Sequence, residues 1–309
     1  FTGGEREPHL LAAEQALERV TRGRDAPLVL EVEVIENKTW RGFEAYMAGR
    51  DPGRTLHDAV ERGQKLHQRA PGHPQVGPAL GMAAWTLADY QRLIGEDAEA
   101  MARVAVDAYG RTIARESASF ADRFNAVGAL QLLARERLAR GRSAAAELEE
   151  LARWTALLQA RAGGENRIDI QLAANQHLAA LQALHESRDA REALAAARRG
   201  LERALANPLD AREAALLLAE LVAAEHASRR ARMEPDDARA RADAQALREA
   251  VARHADYAAL HAAIAEAYVA LPAGIVAPAE ARELLESALE RMPPLRGRYA
   301  ELARALAAR

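Results

Sequence analysis

The 309-residue sequence contains no cysteine. That excludes disulfides, thiolate nucleophiles and thiolate metal sites, and it suits a cytoplasmic protein. Aromatic residues are scarce at 4% of the chain, and large apolar side chains are fewer than one thick globular core of this length would use. No apolar run approaches the roughly 18 residues of a membrane span, and the N-terminus lacks the basic, then apolar, then small-residue order of a signal peptide. A strong charge of either sign is also missing. The formal net charge is -3, with Arg interleaved among Glu and Asp, so neither nucleic acid nor an anionic membrane is expected as a partner. The first residue is Phe1 rather than Met, which suggests a fragment of something longer.

Alanine fills much of the hydrophobic half of the composition. It is the strongest helix former, and its small side chain lets helices approach at the short end of the roughly 8–10 Å packing range. A thin, extended stack of helices fits this bias better than a thick globule.

An internal repeat organises those helices. Asp51, Asp97, Ser143 and Asp189 follow one another at 46-residue steps, and Asp236 comes 47 residues later. The text around each mark is similar: Gly49-Arg50-Asp51-Pro52, Gly95-Glu96-Asp97-Ala98, Gly141-Arg142-Ser143-Ala144 and Ser187-Arg188-Asp189-Ala190. Gly suits the left-handed residue that ends a helix, and Asp or Ser caps the next one. Stop signals share the register: Pro71, Ser117 and Gly163 each lie 20 residues after a mark, and Asn207-Pro208 closes the next pair. Two helices of about 20 residues, each roughly 30 Å long, fit between marks. Eight residues after each mark stand Ala59, Ala105, Leu151, Ala197 and Ala244, which suggests a tight helix crossing at one repeated place.

The spacing predicts first helices of each pair at about 27–48, 77–93, 118–140, 166–186, 208–231 and 256–271. Leu80, Ala126, Leu172 and Ala219 correspond along their apolar seam, as do Pro78, Phe124, Ile170 and Leu217. Val32-Glu33-Val34 alternates like a strand, but Trp40, Phe43 and Tyr46 step by three and the register favours helix. The expected organisation is an N-terminal capping helix or partial repeat at 1–26; repeats at 27–71, 72–117, 118–163, 164–207, 208–255 and 256–294; and a C-terminal capping helix at 295–309. Prolines at 272, 278, 293 and 294 shorten the last connections.

Chemistry-bearing motifs are few. The histidines form no His-Glu-x-x-His or other close ligand set, and there is no Gly-x-Ser-x-Gly elbow or phosphate loop. Gly163-Gly164-Glu165-Asn166 reads as a turn with a cap, and Glu147, Glu149 and Glu150 as helix-surface charges. No catalytic residue, cofactor or metal is expected, and the chain is not itself expected to be an enzyme. Binding suits the surface better. The first helices of stacked pairs line a concave groove, whose candidate contacts are Trp40, Arg41, Trp85, Tyr90, Arg123, Asn125, Gln171, Asn175 and His177.

A helix pair with small Gly128 in Phe124-Asn125-Ala126-Val127-Gly128, a Gly-x-Asp turn, an Ala-rich second helix and a Pro or Gly stop resembles the tetratricopeptide repeat. The family's usual unit is about 34 residues, so the helices here would be longer. More specifically, Ala48-Gly49-Arg50-Asp51-Pro52 with Leu56 and Ala59, together with Gly200-Leu201-Glu202-Arg203-Ala204-Leu205-Ala206-Asn207-Pro208, resembles the long repeats that follow the catalytic domain of certain bacterial serine/threonine protein kinases. The resemblance implies an all-α, right-handed α-solenoid of about six antiparallel helix pairs with capping helices. It also implies a protein or peptide partner, or another domain of the same protein. Asn125 and its equivalent Gln171 resemble the Asn with which some family members hold a peptide backbone or terminal carboxylate, although the regular Lys positions that accompany it are missing. Kinase motifs are absent, so nothing in the chain could cradle ATP. The expected role is an interaction scaffold or regulatory arm; the alternative is a ligand- or peptide-sensing domain that switches an attached enzyme.

Overall fold

The computed structural model describes residues 7–21, 26–162, 168–208, 210–234 and 236–308. Among them every regular element is helical: α1 (Glu7–Thr21), α2 (Leu28–Met47), α3 (Gly53–Arg69), α4 (Val76–Ile94), α5 (Glu99–Ile113), α6 (Phe120–Ala139), α7 (Ala145–Gln159), α8 (Ile168–His185), α9 (Arg191–Leu205), α10 (Ala211–Ala231), α11 (Asp237–Arg253), α12 (Ala258–Ala270), α13 (Pro278–Arg291) and α14 (Arg296–Ala307), with a short 3-10 turn at Pro293–Leu295. The alternating Val32 and Val34 lie in α2. Both are buried with Ile35, because neighbouring helices cover more than one face of α2. The turn at 163–166 and residues 1–6 lie outside the described residues.

The repeat is visible in the backbone. Gly49, Gly95, Gly141, Ser187 and Met233 have φ of 73°, 83°, 67°, 57° and 57°, and each stands 46 residues after the one before. In each turn the amide of that residue donates to the carbonyl three residues back. In four of them the following amide (Arg50, Glu96, Arg188 and Glu234) also donates five residues back, the paired closure of a Schellman turn. Two residues beyond the first four turns, the mark caps the next helix. Asp51 accepts from Gly53 N at 2.7 Å, Asp97 from Glu99 N at 3.0 Å, Ser143 from Ala145 N at 3.3 Å and Asp189 from Arg191 N at 3.0 Å. At the fifth turn the backbone keeps step, but the cap slips by one, and Asp236 accepts from Arg239 N at 3.0 Å. The 47-residue interval is a slip of the cap, not of the fold.

Two compact units form, Phe1–Arg137 with Glu150–Arg161, and Leu138–Glu149 with Ala162–Arg309. In the first, successive helices α1 to α5 pack against each other and α2 also packs on α4. Odd-numbered helices meet through Arg62 to Glu18 at 3.2 Å and Arg111 to His67 at 3.0 Å, each pair 44 residues apart. Even-numbered helices meet where the Tyr46 and Tyr90 rings touch edge to face and where Trp85 covers Gly128. The second unit repeats the pattern. α8 packs on α9 and α10, and α10 on α12. Arg198 of α9 reaches Asp243 of α11 at 2.9 Å, and Arg248 of α11 reaches Glu280 of α13 at 2.7 Å.

Small residues set these approaches. Ala59, Ala105, Leu151, Ala197 and Ala244 are all buried, at 0–1% exposure. A Cβ on Gly63 would lie 3.3 Å from the Leu80 Cα, and one on Gly200 the same distance from the Ala173 Cα. Leu80, Ala126 and Ala219 are buried, as are Phe124, Ile170 and Leu217. Leu172 and Pro78 are only half-buried, so the seam is uneven.

Candidate interaction surfaces

In the first unit the sequence-predicted groove residues divide between surface and core. Trp40 and Phe43, one helical turn apart on α2, are 50% and 36% exposed, and among the described residues no other aromatic side chain is exposed. Their rings begin an edge-to-face chain, Trp40–Phe43–Tyr46–Tyr90, with every centroid step 6.0 Å. The chain runs from solvent into the core and fixes the outer rings against the inner ones. Trp85 is half-buried, and Asn125 of α6, also half-buried, is hydrogen-bonded to the Tyr109 hydroxyl.

Tyr90 and Arg123, expected on the groove, are instead 4% exposed. Burial and the hydrogen bond it gives to Asp51 push the Tyr90 hydroxyl well above the usual phenol range. Arg123 donates to the Arg115 carbonyl at 2.8 Å and to the Ala118 and Leu157 carbonyls, so its guanidinium ties down the end of α5. Arg41 faces away from Trp40, ion-paired with Glu14 at 2.5 Å and donating to Thr55 at 3.0 Å. In the second unit Gln171 and His177 are 6% and 2% exposed, inside the packing of α8, whereas Asn175 is half-buried. The equivalence of Asn125 and Gln171 in the repeat therefore does not give them equal access to solvent.

Two charged networks were not anticipated. Lys38, with only 6% of its side chain exposed, holds Glu14 at 2.5 Å, Asp58 at 2.8 Å and Glu18 at 3.0 Å, joining α1, α2 and α3. Burial works to lower the Lys38 ammonium, but hydrogen bonds to Asp58, Glu14 and Glu18 overcome it and carry the group above the usual lysine range. In the second unit Arg198 pairs with Glu225 and Asp243, and His226 Nε2 lies 2.8 Å from Asp243 Oδ2. Burial raises the Asp243 carboxyl, but the hydrogen bond with His226 and the charges of Arg198 and Arg239 leave it below the usual range. Beside this network a cavity of about 480 Å³ is lined by Arg191, Arg198, Arg199, Arg229, Arg232 and Arg239, with carboxylates between them. The sequence signal for both networks is a charge on an apolar stripe: Lys38 stands among Val34, Ile35 and Gly42, and Asp243 among Ala240, Ala244 and Leu247.

Among the described residues no group of three His, Asp or Glu side chains is placed to hold a metal ion, and no helix is long and apolar enough to cross a membrane. No family model, curated protein or solved structure matches the chain.

Proposed function

We propose that the chain is a right-handed α-solenoid of the tetratricopeptide type, about six helix pairs with end caps, that serves as a protein-interaction scaffold or as the regulatory arm of a larger cytoplasmic protein. One observation carries this: the same left-handed turn returns five times at 46-residue steps. Within each unit, residues 44 or 45 apart also meet across neighbouring odd-numbered helices, as stacked copies of one helix pair would. Such a stack leaves the even-numbered helices to a partner protein, a peptide or another domain of the same protein. The resemblance noted above makes a bacterial serine/threonine kinase the parent whose activity this arm would serve. Selection from an unbiased peptide-display library against the full chain, followed by cross-linking of the selected peptides, tests the interaction role. Saturable one-to-one binders that cross-link to even-numbered helices support it; a library that yields no binder overturns it.

The arginine-lined cavity favours a second role, the sensing of an anionic small molecule. Thermal shift with phosphates and dicarboxylates tests this: a ligand that raises the melting temperature of the parent but not of Arg232→Ala supports sensing, and no shift with any of them removes it.

A further inference from the structure

Trp40 and Phe43 sit among carboxylates that no described Lys or Arg pairs with. Glu33, Glu36, Trp40 and Phe43, with Glu44 four residues after Trp40, follow one strip of α2 on which Glu33, Trp40 and Phe43 are exposed and Glu36 and Glu44 half-buried; about 16 Å separate its ends at 1.5 Å per residue. Among the described residues no Lys or Arg is paired with Glu33, Glu36 or Glu44. The two cations of α2 are committed elsewhere, Lys38 and Arg41 both to Glu14. Asp122, at the start of α6, adds a further negative charge; it is held there by a reciprocal cap in which Asp122 accepts from Ser119 N and Oγ.

We propose that this strip of α2 docks a basic amphipathic segment of a partner protein, about three helical turns long, with Lys or Arg flanking an apolar residue. The inference rests on the interaction role proposed above and names the chemistry of its partner. Charge complementarity selects the occupant. The strip offers carboxylates without cations, so an acidic or neutral segment would leave them uncompensated, whereas ammonium or guanidinium groups would pair with them. The two rings supply the rest. A cation fits over the half-exposed face of Trp40, and an apolar side chain fits against Phe43, whose ring is fixed by Tyr46 behind it. Because these rings are already held edge to face, Trp40 on Phe43 and Phe43 on buried Tyr46, little side-chain freedom is lost on docking. Burial, then the neighbouring charges of Glu33 and Asp122, raise the Glu36 carboxyl above its usual range, a repulsion that an incoming cation relieves.

The test uses the full chain and a fluorescein-labelled amphipathic peptide of Lys and Leu, with a Glu and Leu peptide of the same pattern as comparison, read by anisotropy. Saturable one-to-one binding of the Lys peptide alone is expected, weakening as salt is added. Trp40→Ala and Glu36→Lys should each weaken it about tenfold, a loss of about 1.4 kcal/mol. Glu33→Lys, at an exposed position, repeats the reversal where folding is not at stake. Glu286→Lys, an equal change of charge on α13, should leave binding as in the parent. Affinity unchanged from the parent in Trp40→Ala or in Glu36→Lys would overturn the proposal, and an equal loss in Glu286→Lys would overturn it by showing attraction to net charge alone. The display selection separates the two levels. Acidic or neutral peptides cross-linked elsewhere would remove the basic partner and leave the interaction role standing, whereas an empty selection removes both.

Discussion

The Tyr90 hydroxyl donates to Asp51 Oδ1 at 3.0 Å, and the same oxygen accepts from Gly53 N at 2.7 Å. One carboxylate thus caps α3 and ties its start to the end of α4, closing the antiparallel pair. The device returns two repeats later in different chemistry: Gln182 Nε2 donates to Ser143 Oγ at 3.0 Å, and Gln182 Oε1 accepts from Ala144 N at 2.8 Å. Tyr90, Glu136, Gln182 and Ser228, at 46-residue steps, are all buried polar residues. Tyr90→Phe should lower stability by about 1 kcal/mol, the net worth of one hydrogen bond. Asp51→Ala should cost about 2 kcal/mol, because it removes the cap and strands the buried hydroxyl. In the Asp51→Ala background Tyr90→Phe should then cost almost nothing. Denaturant midpoints of the four proteins check this, and strictly additive costs would show that the two residues do not act together.

The five left-handed turns separate two kinds of substitution. Gly95 has no Cβ to strain its φ of 83°, whereas Ser187 and Met233 hold φ of 57° with side chains attached. Gly95→Ala should destabilise by about 1 kcal/mol, and Met233→Gly should stabilise by a comparable amount, since a left-handed residue with a Cβ costs roughly 1–2 kcal/mol. Met233 is 88% exposed, so little packing is lost in the exchange. Thermal melts that move in the same direction for both variants would contradict this account of the turns.

Those turns were legible in the sequence because Gly, Asp and Ser are chosen there for local backbone reasons, and local chemistry survives translation into one dimension. Met233 broke the lettering without breaking the geometry: its turn is held by backbone hydrogen bonds from Met233 N and Glu234 N that any residue could make. The groove was less legible. A 3.6-residue period marks which side of a helix is apolar, but α4, α6 and α8 are covered on more than one side. Tyr90, Arg123, Gln171 and His177, polar enough to be assigned to solvent, therefore ended inside. Lys38 was missed for the converse reason. Its partners Glu14 and Asp58 lie on two other helices, and only the packing of all three brings them within 3 Å.

Lys38→Met should be among the most damaging single changes in the first unit, at about 3 kcal/mol, because it removes the ammonium that Glu14, Glu18 and Asp58 share and leaves the Glu14 carboxylate, 7% exposed, to Arg41 alone. Replacing Glu14 as well, as Lys38→Met with Glu14→Leu, should recover much of that loss. The network also has a pH signature. Hydrogen bonding from Lys38 holds the Glu18 carboxyl low, and at Asp58 burial is outweighed by the same ammonium together with Arg62. Folded values depressed below unfolded ones contribute stability that is full above the unfolded range near pH 4 and is lost as pH falls through the folded values. The gap in melting temperature between parent and Lys38→Met should therefore be wide at pH 7 and narrow below about pH 4. A gap that does not change with pH would mean that Lys38 acts by packing its methylenes and not by its charge.

Glu36 runs the opposite way. Its carboxyl is raised, first by burial and then by the charges of Glu33 and Asp122, so the folded chain holds this proton more tightly than the unfolded chain does. A raised acid costs stability once ionised: the penalty grows as pH rises from the unfolded value near 4.5 through the folded value, and it is complete above that. Glu36→Gln removes the ionisation but keeps the shape. It should raise the melting temperature at pH 7, and the gain should shrink as pH falls below the unfolded value near 4.5. Asp122→Asn should reproduce part of the Glu36 gain, because it removes one of the two repelling charges, while weakening the cap that Asp122 forms with Ser119. If Glu36→Gln instead lowers the melting temperature at pH 7, an unseen cation compensates the carboxylate, and the acidic strip of α2 is not open to a basic partner.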